Sequence, residues 1–247
     1  MRNYVPVVRS AIELKLTDRP DYGGSSHLWI TDVGNCPRKA MLRLAGVPLK
    51  EFPLKVLEAM HEGDVAEADT LDSLVYAYSA GRVERNRSLR NDIWSGKTDA
   101  ILRLENRDPI VMEHKATGDK WWNYKEWIPR NTHICQLVMY GMLYREKFDV
   151  DPRLVLYYRS WGHWADMVIL DHGDWVEVDG WMDGEPYQKR VDLNVRNLRL
   201  ELEQYFISKD MPPRLEVEEM DGQCTFRGEP ACGYYENCWS VNYAGNA

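Results

Sequence analysis

The sequence predicts one mixed α/β domain, a central sheet with helices on its faces. Two observations carry this. Apolar residues recur at helical spacing up to Gly81, alternate as in strands from Arg82 to Lys115, and then switch period again. The 247 residues, 44% hydrophobic and 28% charged, also run without a repeat or a low-complexity tract that would divide the chain. Residues 1–247 are therefore read as a single domain.

DRPDYGGSS, residues 18–26, is loop by its Gly, Pro, Asp and Ser content. Thr31 or Asp32 then caps a predicted helix running through CPRKAMLRLAG and stopping at Gly46. A second helix is expected from about Leu54 to Ala80, with Leu57, Met60, Val65, Leu71, Leu74 and Val75 mostly three and four apart. Three strands follow, RVERNRSLR, IWSGKTDAILRLE and IVMEHKAT, with NRDP turning the last two. Pro129 precedes a helix from Thr132 to Phe148. LVLYYRSW and WADMVILD make a hairpin about Gly162, and a last helix is expected from Asp183 to Lys209.

Lysine and arginine number 31 against 39 aspartates and glutamates, a formal charge of −8. A protein that only coats nucleic acid is usually basic, so any such role needs a local patch or a metal. No apolar run approaches the ~20 residues of a membrane span, and no signal segment is evident, so the expectation is a cytoplasmic protein without a membrane partner. Two basic runs are candidate phosphate contacts: Arg82, Arg85, Arg87 and Arg90, and Arg38, Lys39 and Arg43. Trp121, Trp122, Tyr124 and Trp127 either stack on bases of a single strand or pack over the sheet edge. His133 shares a helical face with Gln136 and is a candidate phosphate contact or a structural histidine.

Asp99 lies in SGKTDAIL, and Glu113 and Lys115 in IVMEHKAT. Two residues apart on a strand, Glu113 and Lys115 leave the same face, and pairing through NRDP brings Asp99 near them. Two carboxylates and the His114 carbonyl make a hard oxygen site suited to Mg²⁺ or Mn²⁺. A lysine beside them can orient a metal-bound water. Exposed, solvated strand charges are the other reading. Against it, apolar Ile101, Ile110 and Val111 place these strands mid-sheet, where charge is costly unless paired or metal-bound.

Five cysteines in such a chain are thiols or metal ligands rather than disulfides. Cys224, Cys232 and Cys238 crowd the tail as C-x7-C-x5-C, and Cys36 opens the first helix as NCPRK. Together they supply the four soft ligands of a [4Fe–4S] cluster or a structural zinc, which would tie residues 31–46 to 212–247. Cys135 reads as a core thiol.

Gly-x-x-Asp followed by a strand carrying Glu-x-Lys resembles the PD-(D/E)xK nuclease superfamily. Gly63 with Glu67 four residues later resembles its upstream metal-site motif, with His61 as a lesser candidate. Gln136 and Tyr140 resemble the Gln-x-x-x-Tyr element of RecB-type nucleases, in which the glutamine faces the active site and DNA. The cysteine arrangement resembles that group's iron–sulfur branch, although its last three cysteines usually run C-x2-C-x5-C. The resemblance implies a restriction-endonuclease-like core, with residues 82–160 as catalytic sheet and motif helix. It implies a divalent-metal-dependent exonuclease acting on single-stranded DNA ends, with a structural cluster on Cys36, Cys224, Cys232 and Cys238. Glu67, Asp99, Glu113 and the His114 carbonyl would bind metal, Lys115 would position water, and Gln136 and Tyr140 would shape the DNA side. CRISPR adaptation or recombination proteins are the implied partners. A catalytically silent DNA-binding relative and a zinc-stapled interaction module are the alternatives.

Overall fold

The computed structural model describes residues 26–49, 54–118, 122, 128–160, 162–214, 225–226, 229–230, 232–235 and 238. Strand β1 (Leu28–Trp29) and one 3-10 turn (Ile30–Asp32) lead to helix α1 (Pro37–Leu44) and the long helix α2 (Leu54–Tyr78). Strands β2 (Val83–Arg90), β3 (Trp94–Leu102) and β4 (Ile110–Ala116) follow, then helix α3 (Asn131–Phe148). Strands β5 (Arg153–Ser160), β6 (His163–Asp171), β7 (Val176–Met182) and β8 (Glu185–Val191) precede helix α4 (Val195–Ser208). Two short strands, β9 (Thr225–Phe226) and β10 (Glu229–Pro230), pair in the tail.

One eight-stranded sheet carries the order β1-β3-β4-β5-β6-β7-β8, with β2 on β3. The parallel pair β4–β5 is bridged by α3, as a parallel connection requires a crossover; β5 through β8 are antiparallel. Strand alternation divides the apolar residues between two cores. Ile101, Val111 and Leu156 join Ile134, Leu137 and Val138 of α3 and Leu202 of α4. Ala100, Leu102 and Met112 join Leu71 of α2 on the other face. Helices thus flank both faces of a mixed sheet, as expected. Among the described residues no helix is long and apolar enough to cross a membrane.

Two expectations are corrected. The last helix begins at Val195, not Asp183, because VEVDGWM and EPYQKRV are strands. Asp183 and Gly184 both take positive φ, 53° and 83°, the signature of a two-residue hairpin loop and incompatible with a helix start. Asn194 caps α4 instead, its side chain accepting from the Asn197 N–H at 2.9 Å. The first helix begins at Pro37 rather than after Asp32, since Gly34 at φ 79° interrupts the turn and proline suits the first helical position.

Candidate active site

Strands β3 and β4 pair only from Ala100–Met112 to Leu102–Ile110. Beyond that point the ladder opens, and the Asp99 carboxylate replaces a backbone acceptor: His114 N–H donates to Asp99 Oδ2 at 2.6 Å. The Thr98 hydroxyl likewise donates to Met112 O at 3.1 Å. Asp99 is thereby held where the two strands part, beside Glu113.

Glu113 is 2% exposed. Its Oε1 accepts from Lys115 Nζ at 2.5 Å and from Gln136 Nε2 at 2.6 Å. Glu113 and Lys115 share a face because the strand repeats every two residues. Gln136 Nε2 also approaches the Tyr140 phenol at 3.4 Å, and that phenol donates to Lys97 O at 2.7 Å. One turn of α3 places both side chains on the face turned toward β3 and β4. The other carboxylate oxygen, Glu113 Oε2, is buried and has no hydrogen-bond partner among the described residues.

Glu67 enters from α2. Salt bridges from Arg159 to Asp69 and from Arg85 to Asp72 (2.6 Å) fasten this helix to β5 and β2 on the C-terminal side of Glu67. Burial pushes the Glu67 carboxyl up to about 7, helped by the negative charges of Asp99 and Asp64. Burial pushes Asp99 up to about 7 as well, with the Glu113 charge adding to it. Glu113 is raised by burial, and Lys115 opposes the rise. Each carboxylate therefore acts on another, although 46 residues separate Glu67 from Glu113 in the chain.

The structure thus brings Glu67, Asp99, Glu113, Lys115, Gln136 and Tyr140 together. Among the described residues, no three His, Cys, Asp or Glu side chains close into a preformed metal cage. The donors still suit a hard divalent cation. Three carboxyl groups crowd one another, each resisting ionisation without a cation, and among the described residues one buried carboxylate oxygen has no hydrogen-bond donor.

His114 serves here through its backbone N–H. Its ring packs near Tyr157 with 5.8 Å between centroids, and burial lowers its pKa to about 4, leaving it neutral.

Lys97 was not anticipated. It stands two residues before Asp99 on β3, and its charge acts on both Asp99 and Glu67. Its place two residues before Asp99 in GKTD is the sequence signal that could have found it.

Among the described residues, Cys36, Cys232 and Cys238 do not close into a preformed metal-binding group. Burial raises the Cys36 thiol, and the charges of Cys238 and Cys232 add to this. Cys238 packs with Leu42, Val47 and Tyr234, and Cys232 lies against that group. Apolar contact therefore seats the tail on the first helix. Cys224 lies outside the described residues. Cys135 is a buried thiol, as expected.

Burial or pairing occupies several of the side chains read from sequence as nucleic-acid contacts. Arg43 pairs with Asp32 at 2.6 Å and stacks over Trp29, while Arg38 donates to Pro212 O at 2.7 Å. Both are buried. Arg82, Arg85 and Arg87 are held by Glu105, Asp72 and Glu84. Trp122 is buried, donates to Asp183 Oδ2 at 2.7 Å and stacks on His163, so it packs rather than waiting for a base. Trp121, Tyr124 and Trp127 lie outside the described residues. His133 contacts the Tyr158 hydroxyl at 2.7 Å and is pushed down to about 3 by burial, which makes it structural.

No family model matches the sequence, and no curated protein matches it. Among solved structures, the crystal structure of SSO0001 is similar at a TM-score of 0.45 and 16% identity, over 84% of this chain and 86% of that one. A likeness at that level carries no argument about chemistry.

Proposed function

We propose that the protein is a divalent-metal-dependent nuclease of the PD-(D/E)xK type, hydrolysing phosphodiester bonds in single-stranded DNA. The observation that carries the reading is the bond chain Lys115–Glu113–Gln136, closed on its far side by Asp99 and Glu67. Glu67, Asp99 and Glu113 would hold the cation, with the unpartnered Glu113 Oε2 as one donor. A bound divalent ion supplies Lewis-acid and water-activating chemistry. Gln136 fixes the rotamer of Glu113 by engaging Oε1, so Oε2 stays available. Lys115, anchored on the same Oε1, can orient the attacking water and offset charge on a phosphate oxygen. Tyr140 secures the β3 backbone at Lys97, two residues from Asp99.

A structural iron–sulfur cluster, or zinc in its place, belongs to this reading. Cys36, Cys232 and Cys238, with Cys224, would hold it. The seating of Cys238 and Cys232 against Leu42 and Val47, on the helix that Cys36 opens, supports the idea, since a bound metal would tie the same two segments. Iron analysis and visible absorbance of anaerobically purified protein test it; zinc without iron would assign the tail to the alternative metal.

The decisive experiment is degradation of end-labelled single-stranded DNA in Mn²⁺ by the full chain and by Asp99→Ala and Lys115→Ala. The parent degrades the strand and both variants lose activity by about 10²-fold or more. Cleavage by both variants at the parent rate would refute the site.

A further inference from the structure

We propose that Lys97 and Arg90, on the outward face of the β2–β3 hairpin, form a phosphate-binding track leading a single DNA strand away from the carboxylate site. The inference rests on the nuclease reading and adds a substrate path to it.

Register supplies the geometry. Ser88 stands opposite Lys97 and Arg90 opposite Ser95. Directly paired residues share a face, and so do residues two apart on one strand. One face of the hairpin therefore runs Lys97, Ser95 along β3 and Ser88, Arg90 along β2, and it begins two residues from Asp99, where the β2–β3 ladder is interrupted at Asn86 (φ 52°). Each step of two residues advances about 6.7 Å, on the order of one extended nucleotide. The series starts beside a candidate metal ligand, since the Lys97 charge acts on Asp99 two residues away, and it holds two cations and two hydroxyls.

Charge pairing separates these two cations from their neighbours. Arg82, Arg85, Arg87 and Arg103 are each held by a carboxylate, Glu105, Asp72, Glu84 and Glu84 respectively. Lys97 and Arg90 are exposed and, among the described residues, make no ion pair. In a chain with eight more acidic than basic side chains, unpaired cations beside an anionic site suit an anionic ligand.

The hairpin is also firmly seated. Leu89, on the inward face, is fully buried, and Gly96 opposite it lets Ile30 approach so closely that a Cβ would lie 2.6 Å from Ile30 Cδ1. The Tyr140 phenol holds Lys97 O. A track on such a support loses little freedom when a strand binds.

The test is salt-dependent binding of a fluorescein-labelled oligothymidylate of about twenty nucleotides to the full chain. Ca²⁺ replaces Mn²⁺, and salt runs from about 50 to 200 mM. Each phosphate contact removed lowers the slope of log K against log salt by about 0.7. Lys97→Ala and Arg90→Ala should each show that loss with weaker binding, the double variant about 1.4, and Lys97→Arg should restore the parent slope. Arg107→Ala, at an exposed position in the β3–β4 turn, should leave the slope unchanged. The track is overturned if the parent does not bind the oligonucleotide, if either alanine variant keeps the parent slope, or if Arg107→Ala lowers it equally. Cleavage in Mn²⁺ is read separately. Lowered slopes without cleavage would leave the track and remove the nuclease; cleavage with unchanged slopes would do the reverse.

Discussion

Gln136 donates to Glu113 Oε1 across 2.6 Å, joining a helix face to a buried strand carboxylate 23 residues earlier in the chain. The same oxygen takes the Lys115 ammonium, so both donors converge on one side of the carboxylate. Glu113 Oε2 is consequently the side left for a ligand.

Removing Gln136 should therefore affect activity through the orientation of Glu113. Gln136→Ala is expected to lower Mn²⁺-dependent cleavage by about 10- to 100-fold, with a larger share in metal affinity than in DNA affinity. Titrating activity against Mn²⁺ separates the two. An unchanged metal requirement would show that Glu113 is held without the glutamine.

The carboxylates also predict how stability responds to pH. Asp99 and Glu67 sit at about 7 in the folded chain and return to ordinary carboxylate values near 4 on unfolding. Between about 4 and 7 the folded state holds protons the unfolded state has released, so their contribution makes stability fall as pH rises through that window. In chelator, Tm of the parent should drop over this range more steeply than Tm of Asp99→Asn. Mn²⁺ at the upper end should raise the parent Tm more than the variant's, because the cation replaces the lost protons. Identical pH slopes for parent and variant would contradict the assignment.

The Asp32–Arg43 pair predicts a stability cost with no catalytic origin. Asp32 Oδ2 takes both the Arg43 guanidinium at 2.6 Å and the Trp29 N–H at 2.7 Å, with side-chain exposures of 10% for Asp32 and 5% for Arg43. Asp32→Ala would strand the arginine charge in the interior, an effect on the order of 3–5 kcal/mol. Urea unfolding measures it. A change below about 1 kcal/mol would mean that water reaches Arg43.

Gly180 tests the strands that the sequence reading missed. In β7 it pairs with Met167, and a Cβ there would fall 2.0 Å from Asp166 O, a backbone atom that cannot swing aside. Gly180→Ala should destabilise the chain by more than the about 1–3 kcal/mol typical of an overpacked core position. A neutral substitution would argue against the β6–β7 register.

Local periodicity explains what was legible in the sequence. Glu113 and Lys115 share a face because strands repeat every two residues, and Gln136 and Tyr140 because helices repeat every 3.6. Asp183-Gly184 was also legible, as a hairpin dipeptide between alternating runs, but reading a helix from Asp183 passed over it. Lys97 was within reach through its place two residues before Asp99.

The sequence by itself determined the mixed α/β class and which polar side chains share a face within each strand or helix, since backbone geometry sets both over a few residues. Only the tertiary structure decided that β3 and β4 part beyond Ala100 and Met112, and that Glu67 stands in the electrostatic reach of Glu113. It alone turned Arg38 and Arg43 inward while leaving Lys97 and Arg90 exposed. Burial and ion pairing are relations between elements far apart in the chain, and each cation's fate depended on which carboxylate or carbonyl packing carried to it.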